Sequence, residues 1–183
     1  YVDLGTPANL QNITTLTATA WVKRTTTTEQ AIIGSATNGW QISFKSSGTL
    51  SLGKVTINEA TSTGTVTDTN NWHYVAVTYD SSIARFYIDG ILDSSPSYAD
   101  PNFTSTQKTI GIRPDTLNIN FNGTMDEVRI YKRVLTPEEI KTLYLEGINA
   151  TLKPYIDATG KIGINTSSPA QTLTVVGTLN VSI

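Results

Sequence analysis

Cysteine is absent from the 183 residues, which removes disulfides, thiolate metal sites and a thiol nucleophile together. The compartment is not decided by this, since extracellular microbial and viral proteins also dispense with cysteine. Histidine occurs once, at His73, so a histidine-based zinc site or a Ser-His-Asp triad would have to be built around that one ring. Charge is scarce: Asp, Glu, Lys and Arg make up 15% of the chain, against roughly 25% in an average soluble domain. Ser, Thr and Asn fill the gap and give a neutral, hydroxyl-rich surface. The 13 Lys and Arg are scattered and the net charge is -2, so a phosphate backbone meets no basic stripe and nucleic acid is not an expected partner. No apolar run reaches the roughly 18 residues that a membrane span needs. The chain does not open with Met or a signal peptide but directly in a strand-like YVDLG, as expected of a mature or trimmed piece of a longer polypeptide.

What is present is a succession of short strand signals: Leu16–Lys23, Ala31–Gly34, Trp40–Lys45, Thr49–Val55, Trp72–Tyr79, Ile83–Ile88, Thr109–Arg113, Ile119–Phe121 and Met125–Tyr131. Ser46-Ser47-Gly48, Asp80-Ser81-Ser82 and Asp89-Gly90 between them are turn chemistry for antiparallel neighbours. One late helix is signalled by Thr136-Pro137-Glu138-Glu139: a capping Thr, Pro at the first helical position, and a Glu placed to reach back to the cap amide. Ile140, Leu143 and Tyr144 supply its apolar face, and Gly147 is the expected stop. The pattern predicts an all-β, two-sheet antiparallel jelly-roll sandwich with one short C-terminal helix and a β-rich tail. The domain is expected to occupy residues 1–147, with 148–183 as a β-strand extension.

The stretch NWHYVAVTYDSSIARFYIDG, Asn71 to Gly90, sets the question of whether Trp72, His73 and Tyr74 form a site or a core. Strand alternation sends Trp72, Tyr74, Ala76 and Thr78 to one face and His73, Val75, Val77 and Tyr79 to the other. Both faces are mostly apolar, so Trp72 is expected in the core and His73 as a partly buried packing residue with no carboxylate partner on its strand.

This string, with Trp21 in TATAWVK and the later FNGTMDEVRIYKRVLTPEEIKTLY, resembles the laminin G-like, concanavalin A-like jelly-roll domains of extracellular microbial proteins, over roughly residues 1–147. A Phe-Asp-Gly-type segment that usually precedes the first strand has no counterpart here. The resemblance implies two stacked sheets with a curved concave face. It also implies a calcium ion bridging a carboxylate on the last long strand to carbonyls near the first, and the matching carboxylate is Asp126; oxygen ligands of that kind suit a hard cation. The alternative is that Asp126 hydrogen-bonds a turn amide.

The same jelly roll carries glycoside hydrolases, whose retaining members need carboxylates about 5 to 5.5 Å apart. Asp126 and Glu127 are adjacent and face opposite ways, Glu138 and Glu139 serve the helix start, and no Gly-x-Ser-x-Gly elbow or phosphate loop appears. An enzyme is therefore not expected. For glycan binding the candidates are Tyr98, Phe103 and Arg113, with Trp40, Asn102 and Asn118 weighed beside them; Tyr98 and Phe103 fall in the Ser-, Pro- and Asn-rich segment Ser94–Thr106, where an exposed aromatic is a recognition element. Trp40 alternates with Ile42 and Phe44 and is assigned to the core. Glycosylation sequons begin at Asn12, Asn102, Asn122, Asn149, Asn165 and Asn180.

Beyond Gly147, TGKIGINTSSPAQTLTVVGTLNVSI resembles segments that recur in viral tail fibres and microbial surface proteins. Its apolar strand cannot stand alone in water, so Leu173, Val175, Val176 and Leu179 are the expected assembly residues, joining one subunit to the next by strand addition; folding back on the same chain is the alternative. The reading is a non-catalytic, extracellular or cell-surface module, structural and adhesive, in a self-associating fibre or filament. A carbohydrate-binding module and a viral tail-fibre receptor-binding segment are the alternatives.

Overall fold

The computed structural model describes residues 1–11, 13–36, 39–54, 58–99, 107–114, 119–151, 155–156 and 162–163. Two units are distinguished, Tyr1–Thr142 and Leu143–Ile183. The first holds two antiparallel sheets. The six-stranded sheet runs in the order β1 (Val2–Gly5), β10 (Lys108–Ile110), β3 (Gln30–Ser35), β4 (Trp40–Phe44), β5 (Thr49–Lys54), β6 (Asn58–Thr65). The five-stranded sheet runs β11 (Gly123–Tyr131), β2 (Leu16–Arg24), β7 (His73–Tyr79), β8 (Ala84–Ile88), β9 (Ile91–Ser94). This is the expected jelly-roll sandwich. In the second unit β12 (Tyr155–Ile156) pairs antiparallel with β13 (Ile162–Gly163).

Alternation builds the core. Leu16, Ala18, Ala20 and Val22 on β2, and Val75, Val77 and Tyr79 on β7, point inward to Trp40, Ile42 and Phe44 on β4 and Leu50 and Leu52 on β5. Trp40 is fully buried, as its alternation predicts. The inward stripe ends in a cation on either side of this core. Arg24 lies 4.4 Å from the Phe44 ring centroid and gives its guanidinium protons to the carbonyls of Val66 and Thr28. Lys108 lies 4.9 Å from the Trp40 ring and donates to Ser35 Oγ at 2.6 Å. Desolvation lowers the Lys108 ammonium to about 8, because its described partners are a ring, a hydroxyl and a carbonyl.

The helix α1 (Pro137–Thr151) opens on the predicted reciprocal cap: the Glu139 amide donates to Thr136 Oγ1 at 3.2 Å and the Thr136 amide to Glu139 Oε2 at 2.9 Å. It does not stop at Gly147. Glycine inside a helix costs about 1 kcal/mol, which the following residues tolerate. Two strands carry no clear signal in the sequence. β6 is all polar or small (NEATSTGT) and β9 is four residues of mixed character. Ile119–Phe121, expected as a strand, contributes only a single bridge, Ile112 to Asn120.

Candidate functional site

Register defines a rim. β2 and β7 pair from Leu16 opposite Tyr79 to Val22 opposite His73, so His73, Arg24 and the start of β11 lie at one end of the five-stranded sheet, where Gly123 pairs with Arg24. Trp72 precedes the ladder of β7 and is 41% exposed. This corrects the expected core assignment: alternation holds only inside paired strand, and β7 begins one residue later. Trp40 is buried and Trp21 partly so, with its ring centroid 5.4 Å from that of Tyr74. Trp72 is thus the indole most open to solvent.

The residues before it are fixed by Asp68. Its Oδ1 accepts the Asn70 amide at 2.7 Å and its Oδ2 accepts the Asn71 side-chain amide. Those two bonds, the Asn70 one foremost, hold the Asp68 carboxyl below its ordinary range. Asp89 and Gly90, with φ of 51° and 75°, form a turn that suits two positive φ values. The Asp89 carboxylate accepts the Tyr74 amide at 2.9 Å and the His73 Nδ1–H at 2.9 Å. His73 Nε2 faces Asp68 Oδ2 at 3.8 Å.

The imidazole is therefore bracketed by two carboxylates, neither of them on its own strand. Both come from turns, five residues before and sixteen after, where strand spacing cannot see them. The ring nitrogens address carboxylates; a nucleophile–base pair needs a hydroxyl or thiol in that place. A second unforeseen pair stands on the six-stranded sheet. Lys45 Nζ lies 2.6 Å from Glu59 Oε1 and 3.3 Å from Glu29 Oε1, so these carboxylates approach one another through an ammonium. A glycosidase pair must instead share its cleft with the sugar, one member carrying a transferable proton.

The named candidates fare differently. Tyr98 is 3% exposed; its ring packs edge-on against Tyr79 at 5.7 Å and its hydroxyl donates to the Asn58 carbonyl. It is a core residue and not the exposed recognition aromatic expected, because β-type bonds from Ala84 to Pro96 and from Tyr98 to Ser82 draw its segment inward. Arg113 is half-buried, its amide bonded to the Ile119 carbonyl. Phe103, Asn102 and Asn118 lie outside the described residues, as do Asn12, Asn165, Asn180 and the assembly residues Leu173, Val175, Val176 and Leu179. Asn122 is exposed beside Gly123, and Asn149 falls in α1.

Asp126 sits at a bulge of β11 where Glu127 takes φ 52°. Its Oδ1 accepts the Glu127 amide at 2.7 Å, while the Glu127 carboxylate pairs with Arg129. Calcium takes six to eight oxygens, roughly. Among the described residues no group of three or more His, Cys, Asp or Glu gathers as a metal site; a calcium held as the resemblance implies would draw most of its oxygens from backbone carbonyls.

Solved structures share the fold. A protein from Bacteroides ovatus, provisionally assigned to carbohydrate binding, superposes with a TM-score of 0.64 at 18% identity, over 76% of this chain and 43% of its own. The sialidase CBM40 of Ruminococcus gnavus, bound to α2,3-sialyllactose, gives 0.65 at 13% identity, over 78% and 91%. The heptameric SAP-like pentraxin of Limulus polyphemus gives 0.61 at 16%, over 78% and 73%. The chain thus spans under half of the Bacteroides ovatus protein and most of the other two. No curated protein sequence matches it. The family model of the concanavalin A-like lectin/glucanases superfamily, in its third laminin G group, matches residues 1–141, and the chain belongs to that family.

Proposed function

We propose that this domain is a non-catalytic glycan-binding module whose ligand stacks on Trp72. The observation that carries the reading is the exposed indole on a rim stiffened by Asp68, with Asn70 and Asn71 beside it. A sugar ring offers an apolar C–H face and an equatorial fringe of hydroxyls. An aromatic plane covers the first, and amide and carboxylate groups bond the second. His73, clamped by Asp89, fixes the strand from which Trp72 emerges. The jelly-roll neighbours include a CBM40 bound to a sialyllactose, which supports the ligand class without assigning the sugar. The neutral, hydroxyl-rich composition suits an extracellular or cell-surface setting, and the tail's resemblance to fibre segments supports display on a surface filament.

The test is a glycan array followed by titration of the best binder. Trp72→Ala is expected to weaken binding at least about tenfold while leaving the melting temperature nearly unchanged, since an exposed substitution costs within about 0.5 kcal/mol. Undiminished binding by this variant would move the ligand elsewhere.

A further inference from the structure

The two nitrogens of the His73 ring are not equally satisfied. An ionised Asp89 is an acceptor only, so the hydrogen bond of 2.9 Å to its Oδ2 puts a proton on Nδ1. In the neutral ring Nε2 is then a bare lone pair. It is buried, makes no hydrogen bond among the described residues, and faces a second acceptor, Asp68 Oδ2, across 3.8 Å. That gap is about 1 Å longer than a charge-assisted bond, and two acceptors have nothing to draw them together. Few charged groups surround the ring. The β6–β7 connection brings Asp68 and the turn after β8 brings Asp89. β2 sets Val22 opposite His73, and Arg24, two residues on, gives its guanidinium to the carbonyls of Val66 and Thr28. β11 adds the uncharged Met125 opposite Val22.

A second proton reverses this contact. It makes Nε2 a donor and the ring a cation between two carboxylates, and Asp68 Oδ2 has a lone pair to spare beside the one that takes the Asn71 amide. We infer that His73 is a proton-operated latch on the Trp72 rim, which in mild acid closes Nε2–H onto Asp68 and tightens glycan binding. The lever is the Asp68 turn. Asp68 already holds the Asn70 amide and the Asn71 side chain, and Trp72 follows directly, so drawing Asp68 to the ring ties Asn70, Asn71 and Trp72 to β7. A rim ordered before the sugar arrives loses less freedom on binding. Histidine changes charge near about pH 6.5, whereas Asp68 is held below the ordinary carboxylate range, so cation and anion coexist in the interval between. This deepens the glycan reading above and rests on it.

The experiment titrates the full chain with its best array glycan at about pH 5.5 and 7.5, on either side of the histidine range, beside Asp68→Asn and His73→Gln. The wild type is expected to bind about threefold tighter in acid, and both variants to bind equally at the two values. Slopes from groups elsewhere persist in the variants and subtract out. Wild-type affinity that does not change with pH, while Trp72→Ala still weakens it, overturns the latch and leaves the glycan site standing; a slope unchanged in Asp68→Asn also overturns it. Nuclear magnetic resonance reads the latch without any sugar, since His73 is the one histidine in the chain and its ring signals need no assignment. The neutral ring should carry its proton on Nδ1, and acid should bring a slowly exchanging Nε2–H together with reduced backbone motion at Asn70 and Asn71. A ring that protonates with neither change overturns the latch whatever the glycan does.

Discussion

Single residues carry opposing charge costs. Lys108 titrates near 8 in the folded chain, below its ordinary 10.5, so between those values the unfolded chain binds the extra proton. Stability should therefore rise as pH climbs from about 8 to 10.5, by up to about 3 kcal/mol. Lys108→Met should erase that slope in urea melts across the range and be neutral or stabilising at pH 7. Asp80 runs the other way. Burial pushes its carboxyl up, but the Arg85 guanidinium at 2.7 Å and the amides of Ile83 and Ser82 outweigh it and bring it to about 2. Its contribution, up to about 2 kcal/mol, is present above the ordinary value near 4 and lost as pH falls through 2. Asp80→Asn should flatten the acid limb of the unfolding curve. Neither group was legible in the sequence: Lys108 reads as a strand-end surface lysine, and only the register of β10 with β3 turns it inward. Trp72 was misplaced for the same reason in reverse, one residue outside its ladder.

Elements were legible where pattern and turn chemistry agreed. β4 and β5 alternate apolar with polar or small residues, β2, β7 and β8 are short β-branched and aromatic runs bounded by turn residues, and the Thr136–Glu139 cap announces α1. Thr136→Ala should cost about 1 kcal/mol, read as a lower melting temperature. β6 was missed because its inward residues are Ala60 and Ser62, which bury as well as larger side chains once the neighbouring strands are in place but send no hydrophobic signal. The chain after β10 was misread as strand because Ile112 looks apolar; instead it crosses the six-stranded sheet at Gly34. A Cβ built there would meet the Ile112 carbonyl at 1.8 Å and Thr109 Oγ1 at 2.6 Å. Gly34→Ala should accordingly destabilise by at least about 3 kcal/mol, well beyond the usual cost of a single substitution, as measured in denaturant.

For the molecule as a whole, class and architecture were readable because burial dictates alternation, and alternation survives in one sequence. The binding surface was not, because it is assembled from turns. Asp68 and Asp89 meet at His73, next to Trp72, only once β6 has crossed to β7 and the Asp89-Gly90 turn has closed. Trp72 is the indole most open to solvent, so tryptophan emission reads this surface directly. Titrating the chain with its best array glycan should quench and blue-shift that emission, and the change should vanish in Trp72→Phe while Trp21 and Trp40 still report a folded sandwich. Saturable binding with unchanged emission, or an equal change in Trp72→Phe, would contradict the account.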